Sequence, residues 1–250
     1  MAEAVTDLPP HRHREVVRQS WAVGIATGLY AISFGALSVA AGLDLWQTQA
    51  LSLLMFTGGS QFAFVGIIGA GGLAAAPAAI ATATMLSIRN GLYGLQTSQF
   101  LGVSGPRRAA AAQLTIDEST AVGLAQPELP AQRVGFWHTG IAVFVFWNLM
   151  TLVGSLAGNA IGDPKVYGLD GAAVAAFTAL LWPRLQSMTA RLTALLAVGL
   201  ALVSSPLVPA GIPVLIAALA AVAFGLRSAA KHEEPLEGRD GRLPGSDPVP

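Results

Sequence analysis

The feature that most constrains this chain is where its charges are not. From Ser20 to Leu226, 207 residues carry 13 charged side chains, while the 43 residues at 1–19 and 227–250 carry 15. A soluble domain covers its surface with about 25% charged residues; this chain has 11%, with 53% hydrophobic residues and a mean hydropathy of +0.59. The central segment lacks the polar surface of a water-exposed fold. It reads as an all-α polytopic membrane protein. The net charge is zero, so no general attraction to nucleic acid is expected. Cysteine is absent, which excludes disulfides, thiolate metal sites and thiol catalysis. The bias of 12 Arg to 2 Lys, with abundant Ala and Gly, reads as genome composition.

Uncharged runs at Trp21–Leu43, Leu45–Ile88, Val134–Gly162, around Gly171–Pro183, and at Leu192–Leu226 are long enough for helical crossings, which need about 20 residues each. Leu45–Ile88 suffices for two, with a turn near Gly69–Pro77. Leu192–Leu226, cut by SSPLVPAGIP, suffices for two short ones. The alanine-rich stretch 109–128 carries Asp117 and Glu118 and reads as an interfacial helix or a further span. The expectation is a bundle of about seven to eight transmembrane helices. It occupies residues 20–226, between a cytoplasmic N-terminal tail (1–19) and a disordered C-terminal tail (227–250). Arg12, Arg14 and Arg18 beside the first span predict a cytoplasmic N-terminus. Simple alternation then puts Arg107 and Arg108 on the opposite side, against the positive-inside rule. Either residues 45–72 are not a plain crossing or the rule is weak here. No sequence repeat is visible, which leaves room for a diverged inverted repeat.

Polar residues inside apolar runs mark helix contacts or water-filled paths. Asn148, Thr151, Ser155 and Asn159 recur at steps of 3, 4 and 4, on one helical stripe, and Thr27, Tyr30 and Ser38 form a similar stripe in the first span. Both are candidate pore walls, with interhelical hydrogen bonding as the alternative. Thr57-Gly58-Gly59-Ser60-Gln61-Phe62 interrupts an apolar run. Paired glycines weaken a helix, and Ser60 is placed to cap a restarted one. A broken helix offers free backbone groups to a substrate. Arg89, on a face shared with Thr82 and close to Tyr93, is suited to gripping a carboxylate, or else to snorkelling towards headgroups. Asp117 and Glu118 are candidates for proton or ammonium binding, or for a solvated turn. Gly102-Val103-Ser104-Gly105 matches the serine motif of rhomboid intramembrane proteases, with His138 as a candidate base; it sets up a protease as the rival reading. A non-transporting membrane scaffold is a third.

FTGGSQF (56–62), SIRNGLYG (87–94), LTIDESTA (114–121) and the Trp147…Gly154-Ser155…Gly158 stretch occur in an order and spacing that resemble the large subunit of AzlC-type branched-chain amino-acid exporters. The resemblance covers roughly residues 20–226. The small-x-SQF core stands as Gly59-Ser60-Gln61-Phe62; the family's Arg-His pair reads Arg89-Asn90, and its Thr-Asp-Glu reads Thr115-Ile116-Asp117-Glu118, with one residue inserted. The resemblance implies an inner-membrane secondary exporter of neutral amino acids, chiefly valine, leucine, isoleucine and methionine. It works with a small AzlD-type membrane subunit and without a cofactor or metal. On this reading Gly59, Ser60, Gln61, Phe62, Arg89, Asn90 and Tyr93 bind substrate and Asp117 and Glu118 couple protons. A zwitterionic substrate needs a cation or a helix N-terminus for its carboxylate and an acceptor for its ammonium. Arg89 and the Gly59–Gln61 break suit the first, Asp117 or Glu118 the second.

Overall fold

The computed structural model describes residues 8–161, 178, 181–182, 185–209, 211–219 and 222. The span expected around 171–183 and the C-terminal tail from 227 fall largely or wholly outside the described residues. The described chain is helical throughout, with no strand: α1 (Pro10–Ala40), α2 (Leu45–Leu54), α3 (Gly59–Gly71), α4 (Ala76–Leu101), α5 (Gly105–Gln113), α6 (Asp117–Leu124), α7 (Leu129–Ile161) and α8 (Met188–Ser204). A 3-10 turn, Gly72–Ala75, joins α3 to α4. Ten residues of the segment expected as a tail belong to α1, which starts at Pro10, where a missing N–H costs a helix nothing.

Among the described residues, three helical segments are long and apolar enough to cross a membrane: Pro10–Ala40, Gly59–Leu101 (α3 and α4 together) and Leu129–Ala160. Their outer faces are apolar. Trp21, Ile25 and Leu29 on α1, and Ile141, Val145, Leu149, Val153 and Leu156 on α7, are exposed. Ser20, Thr48, Ser52, Thr139, Thr151 and Ser155 are buried without exposure. Such an inside-out distribution suits lipid as solvent.

α1 and α7 form the most extensive helix pair, and they run parallel. Gly24 faces Ala142, Gly28 faces Phe146, Gly154 faces Ile32 and Gly158 faces Ala36, so the contact advances in the same direction along both helices. Glycine at these points lets the two backbones touch. Arg12 at the start of α1 pairs with Glu128 just before α7 (3.3 Å).

Two helix pairs between them do not cross the bundle. α2 leaves the end where α1 finishes and stops in the interior. α3 turns back to that end, where Gly69 approaches Ala41. At about 1.5 Å per residue, α2 and α3 span roughly 15 and 20 Å, half-crossings each. An apolar groove lined by Leu51, Leu54, Phe64, Ile68 and Leu73 opens between them. α4 then runs the length of the bundle to the end where α7 begins, where the Arg133 Nε donates to the Phe100 carbonyl (2.7 Å). α5 enters from there and ends in the interior, where Gln113 Nε2 donates to the Leu53 carbonyl of α2 (2.8 Å). α6 returns to the same end, where Gln126 Nε2 meets Gln19 Oε1 of α1 (3.2 Å). Residues 10–161 are therefore built from a through-helix with a hairpin, α1 with α2–α3, repeated upside down as α4 with α5–α6, and followed by α7. Residues 45–71, expected as one crossing before the turn near Gly69–Pro77, are instead the α2–α3 hairpin, and 109–128 falls in the α5–α6 hairpin and not in a single span.

This arrangement removes the charge conflict. Arg107 and Arg108 lie at the same end as Arg12, Arg14, Arg18 and Arg133, while among the described residues the far-end connections 41–44 and 72–75 hold Asp44 and no basic residue. Because the natural chain has no cysteine, single cysteines test the topology directly. Arg14→Cys and Arg108→Cys are expected to react with a membrane-impermeant maleimide from one side, and Leu73→Cys from the other. Labelling of positions 14 and 108 from opposite sides would restore the plain alternating count.

Candidate functional site: the junction of two hairpin tips

The tips of the two hairpins, Met55–Gly58 and Leu114–Ile116, meet in the interior, and the same local chemistry builds both. At the first, Gln61 Oε1 accepts from the Gly58 N–H (3.2 Å); at the second, Ser119 Oγ accepts from the Ile116 N–H (3.1 Å). Each is a residue at the third helical position reaching back to the residue before the helix, which satisfies a donor the helix leaves open. The first helix restarts after Gly58, whose φ of +63° is readily adopted by glycine. The expected Ser60 cap is replaced by this reciprocal bond from Gln61. Gln61 Nε2 also donates to the Leu51 carbonyl (3.1 Å), covering the open end of α2. Gln61 is wholly buried, a placement tolerable for an amide with partners on both its oxygen and its nitrogen.

α4 holds the two tips together with neighbouring side chains. Arg89 Nη2 donates to the Thr57 carbonyl of the first tip (3.1 Å), and Asn90 Nδ2 to the Thr115 carbonyl of the second (3.1 Å). Arg89 Nη1 also pairs with Asp117 Oδ2 at 2.8 Å, with side chains 30% and 19% exposed. Ser87 Oγ donates to Ser60 Oγ (3.0 Å). The serine, arginine and asparagine of SIRNG thus each reach a hairpin. Asp117 opens α6, where a negative charge favours the helix dipole, and Gly59 opens α3. Two helix N-termini with unpaired backbone donors therefore face one interior point.

A cavity lies there, lined by Thr27, Tyr30, Phe56 and Thr57, by Gly58 and Gly59, by Ile116, Asp117 and Glu118, and by Val143 and Trp147. It encloses about 20 Å³, room for about one water and far less than an amino acid. The tips of both hairpins border it. Its wall is aromatic: Tyr30 and Phe62 each meet Trp147 edge-on, and Phe34 stacks on Trp147 with ring centroids 6.0 Å apart.

The family model described as "AzlC protein" matches residues 22–161, which is α1 to α7 without the N-terminal turns of α1. The chain belongs to the AzlC family. No curated protein and no solved structure matches it. Membership supports a membrane protein with a role related to branched-chain amino-acid transport, and it is consistent with a protein that is not an enzyme.

The AzlC chain gathers some of the residues singled out in the sequence and separates others. Thr27, Tyr30, Gly59, Asp117 and Glu118 line the cavity. Ser60, Gln61, Arg89 and Asn90 shape its walls through the bonds above, Phe62 packs behind it, and Tyr93 lies one turn beyond Asn90 on α4. Ser38 of the first stripe and the α7 stripe have a different place. Ser38 Oγ and Ser155 Oγ donate to carbonyls of their own helices, at Phe34 and Thr151 (2.8 Å each). Gly35, on α1, abuts Thr151 and Ser155. Thr151 accepts from Ser52 of α2 (3.3 Å), the Asn148 carbonyl accepts from Gln49 (3.2 Å), and Asn159 is exposed near the end of α7. Thr151 and the Asn148 backbone thus tie α7 to α2, and Gly35 brings α1 against Thr151 and Ser155. Ser104 is exposed beside Gly105 at the start of α5, whereas His138 sits on α7 with its ring 6.0 Å from that of His13. No hydrogen bond joins Ser104 and His138 among the described residues. Trp147, Ser119, Gln113 and Ser87 carry geometry that the sequence reading did not assign. For Ser119, its place three residues after Ile116 was the available signal.

Proposed function

We propose that this AzlC chain is the large subunit of a secondary transporter that exports neutral amino acids, chiefly valine, leucine, isoleucine and methionine, across the cell inner membrane. A small AzlD-type membrane subunit is its partner, and protons are the coupling ion. The observation that carries the reading is the Arg89–Asp117 pair between two helix N-termini at a small, aromatic-walled cavity. An amino acid bears the same two charges as that pair. Entering between them, its carboxylate takes over the guanidinium and the N–H groups of Gly59 and Ser60, and its ammonium takes over Asp117, with Glu118 beside it. Neither charge is then left without a partner, as burial requires. Phe56, Val143 and Trp147 supply apolar wall for an aliphatic side chain. The basic end of the bundle is cytoplasmic by the positive-inside rule. Each hairpin lies on one side of the cavity, so opening α5–α6 admits substrate from the basic end and opening α2–α3 releases it at the other, the alternation inverted repeats provide.

Efflux of preloaded labelled leucine from vesicles, with and without the partner subunit, tests this. Leucine efflux is expected only with both subunits present, to be reduced by Asp117→Asn more than expression is, and to be indifferent to Ser104→Ala. No leucine movement in the complex would overturn the transporter reading, and full activity in Asp117→Asn would remove the carboxylate from the site.

A further inference from the structure

Trp147 is 1% exposed, and its Nε1–H is buried without an acceptor. A buried indole N–H ordinarily finds a partner, because leaving it unpaired in an apolar setting is costly. The ring itself is well accommodated: it meets Tyr30 edge-on at 5.1 Å and stacks on Phe34 at 29° between planes. Packing therefore accounts for an aromatic residue here but not for the nitrogen. A phenylalanine would keep an aromatic ring at this position without the orphaned donor.

A second unpaired group lines the same cavity. Asp117 Oδ2 takes Arg89, while Asp117 Oδ1 is buried and has no partner. Trp147 on α7 and Asp117 on α6 thus line one small cavity, next to the N-terminus of α3, and each carries one buried polar atom without a partner. A ligand that satisfies both must present an acceptor and a donor. An α-amino acid does so through its carboxylate and ammonium.

We infer that the Trp147 N–H is a specificity-determining donor to the carboxylate of an α-amino acid whose ammonium rests on Asp117. This rests on the transporter reading above. Trp147 then selects for a free carboxylate, while its ring face bounds the side chain. Leucinamide keeps the ammonium and the aliphatic side chain but lacks the charged carboxylate.

The experiment is inhibition of labelled-leucine counterflow by unlabelled leucine and by leucinamide, with the full chain and its partner in vesicles at matched protein level. Wild type is expected to prefer leucine over leucinamide, and Trp147→Phe to shrink that preference by about tenfold, the scale of one charge-assisted hydrogen bond. Trp147→His returns an N–H donor to the position and is expected to recover part of the preference. Because the readout is a ratio within one protein, altered folding or amount cancels. An unchanged ratio in Trp147→Phe, or equal weakening of both ligands, would overturn the donor role and leave Trp147 as packing. Absence of leucine counterflow in wild type would instead overturn the transporter reading itself.

Discussion

Arg89→Gln is expected to reduce leucine counterflow by about tenfold or more, the effect of losing one to two charge-assisted hydrogen bonds. The substitution strips Asp117 of its ion-pair partner and the Thr57 carbonyl of its donor at once. Arg89→Lys is expected to fall between wild type and Arg89→Gln, since a single ammonium cannot reproduce the planar fork that reaches two acceptors. An arginine that merely snorkelled to headgroups would be replaced by lysine without loss. The pair also predicts non-additivity: Arg89→Gln with Asp117→Asn should be little worse than either alone, because residues acting as a unit are lost together. Wild-type transport in Arg89→Gln would take the pair out of the mechanism, and strictly additive losses would make the two residues independent.

The second large effect is structural. Gly154→Val is expected to abolish recovery of monodisperse protein, with Gly154→Ala already lowering thermal stability. A Cβ at Gly154 falls on the Ile32 carbonyl, and one at Gly35 on the Thr151 carbonyl. Backbone cannot swing aside as a flexible side chain can, so α1 and α7 must separate along their seam. Overpacking of this kind costs about 1–3 kcal/mol, more where the backbone must move. Gly199→Ala in α8 is the control. Nothing lies within 4 Å of the added methyl, and alanine is the better helix former by about 1 kcal/mol. Size-exclusion profiles and melting temperatures of the three variants decide it. A normally folded Gly154→Val would mean that the α1–α7 contact is looser than described.

Individual residues show how far the site was legible. Gly58-Gly59 announced a helix break because paired glycines resist helix and permit positive φ, and the break is there. Arg89 and Asp117 stood out because charges are scarce in an apolar run. Their direct contact did not, since nothing in a one-dimensional pattern brings positions 89 and 117 together. The stripe at Asn148, Thr151 and Ser155 was ambiguous for a related reason. A polar stripe on a membrane helix looks the same whether it faces water or a neighbouring helix, and here small residues on α1 and hydroxyls on α2 fill the place of a path. Trp147 was conspicuous only as part of a family pattern, because an indole inside an apolar run does not disclose whether its nitrogen has a partner.

Composition and periodicity by themselves determined that the chain is helical and membrane-embedded, that a helix is broken near Gly58, and that a few polar groups are held in an apolar interior. These follow from local physics: the scarcity of charge, the 3.6-residue repeat and the backbone freedom of glycine. Tertiary structure alone decided that α2–α3 and α5–α6 are hairpins entering from opposite ends. A ten-residue apolar helix that crosses half the bundle and turns back carries the same hydropathy as half of a full crossing. The choice between them rests on long-range bonds, Gln113 to Leu53, Asn90 to Thr115 and Arg89 to Thr57 and Asp117, which satisfy the carbonyls and charge exposed at each tip and have no signature within either segment alone.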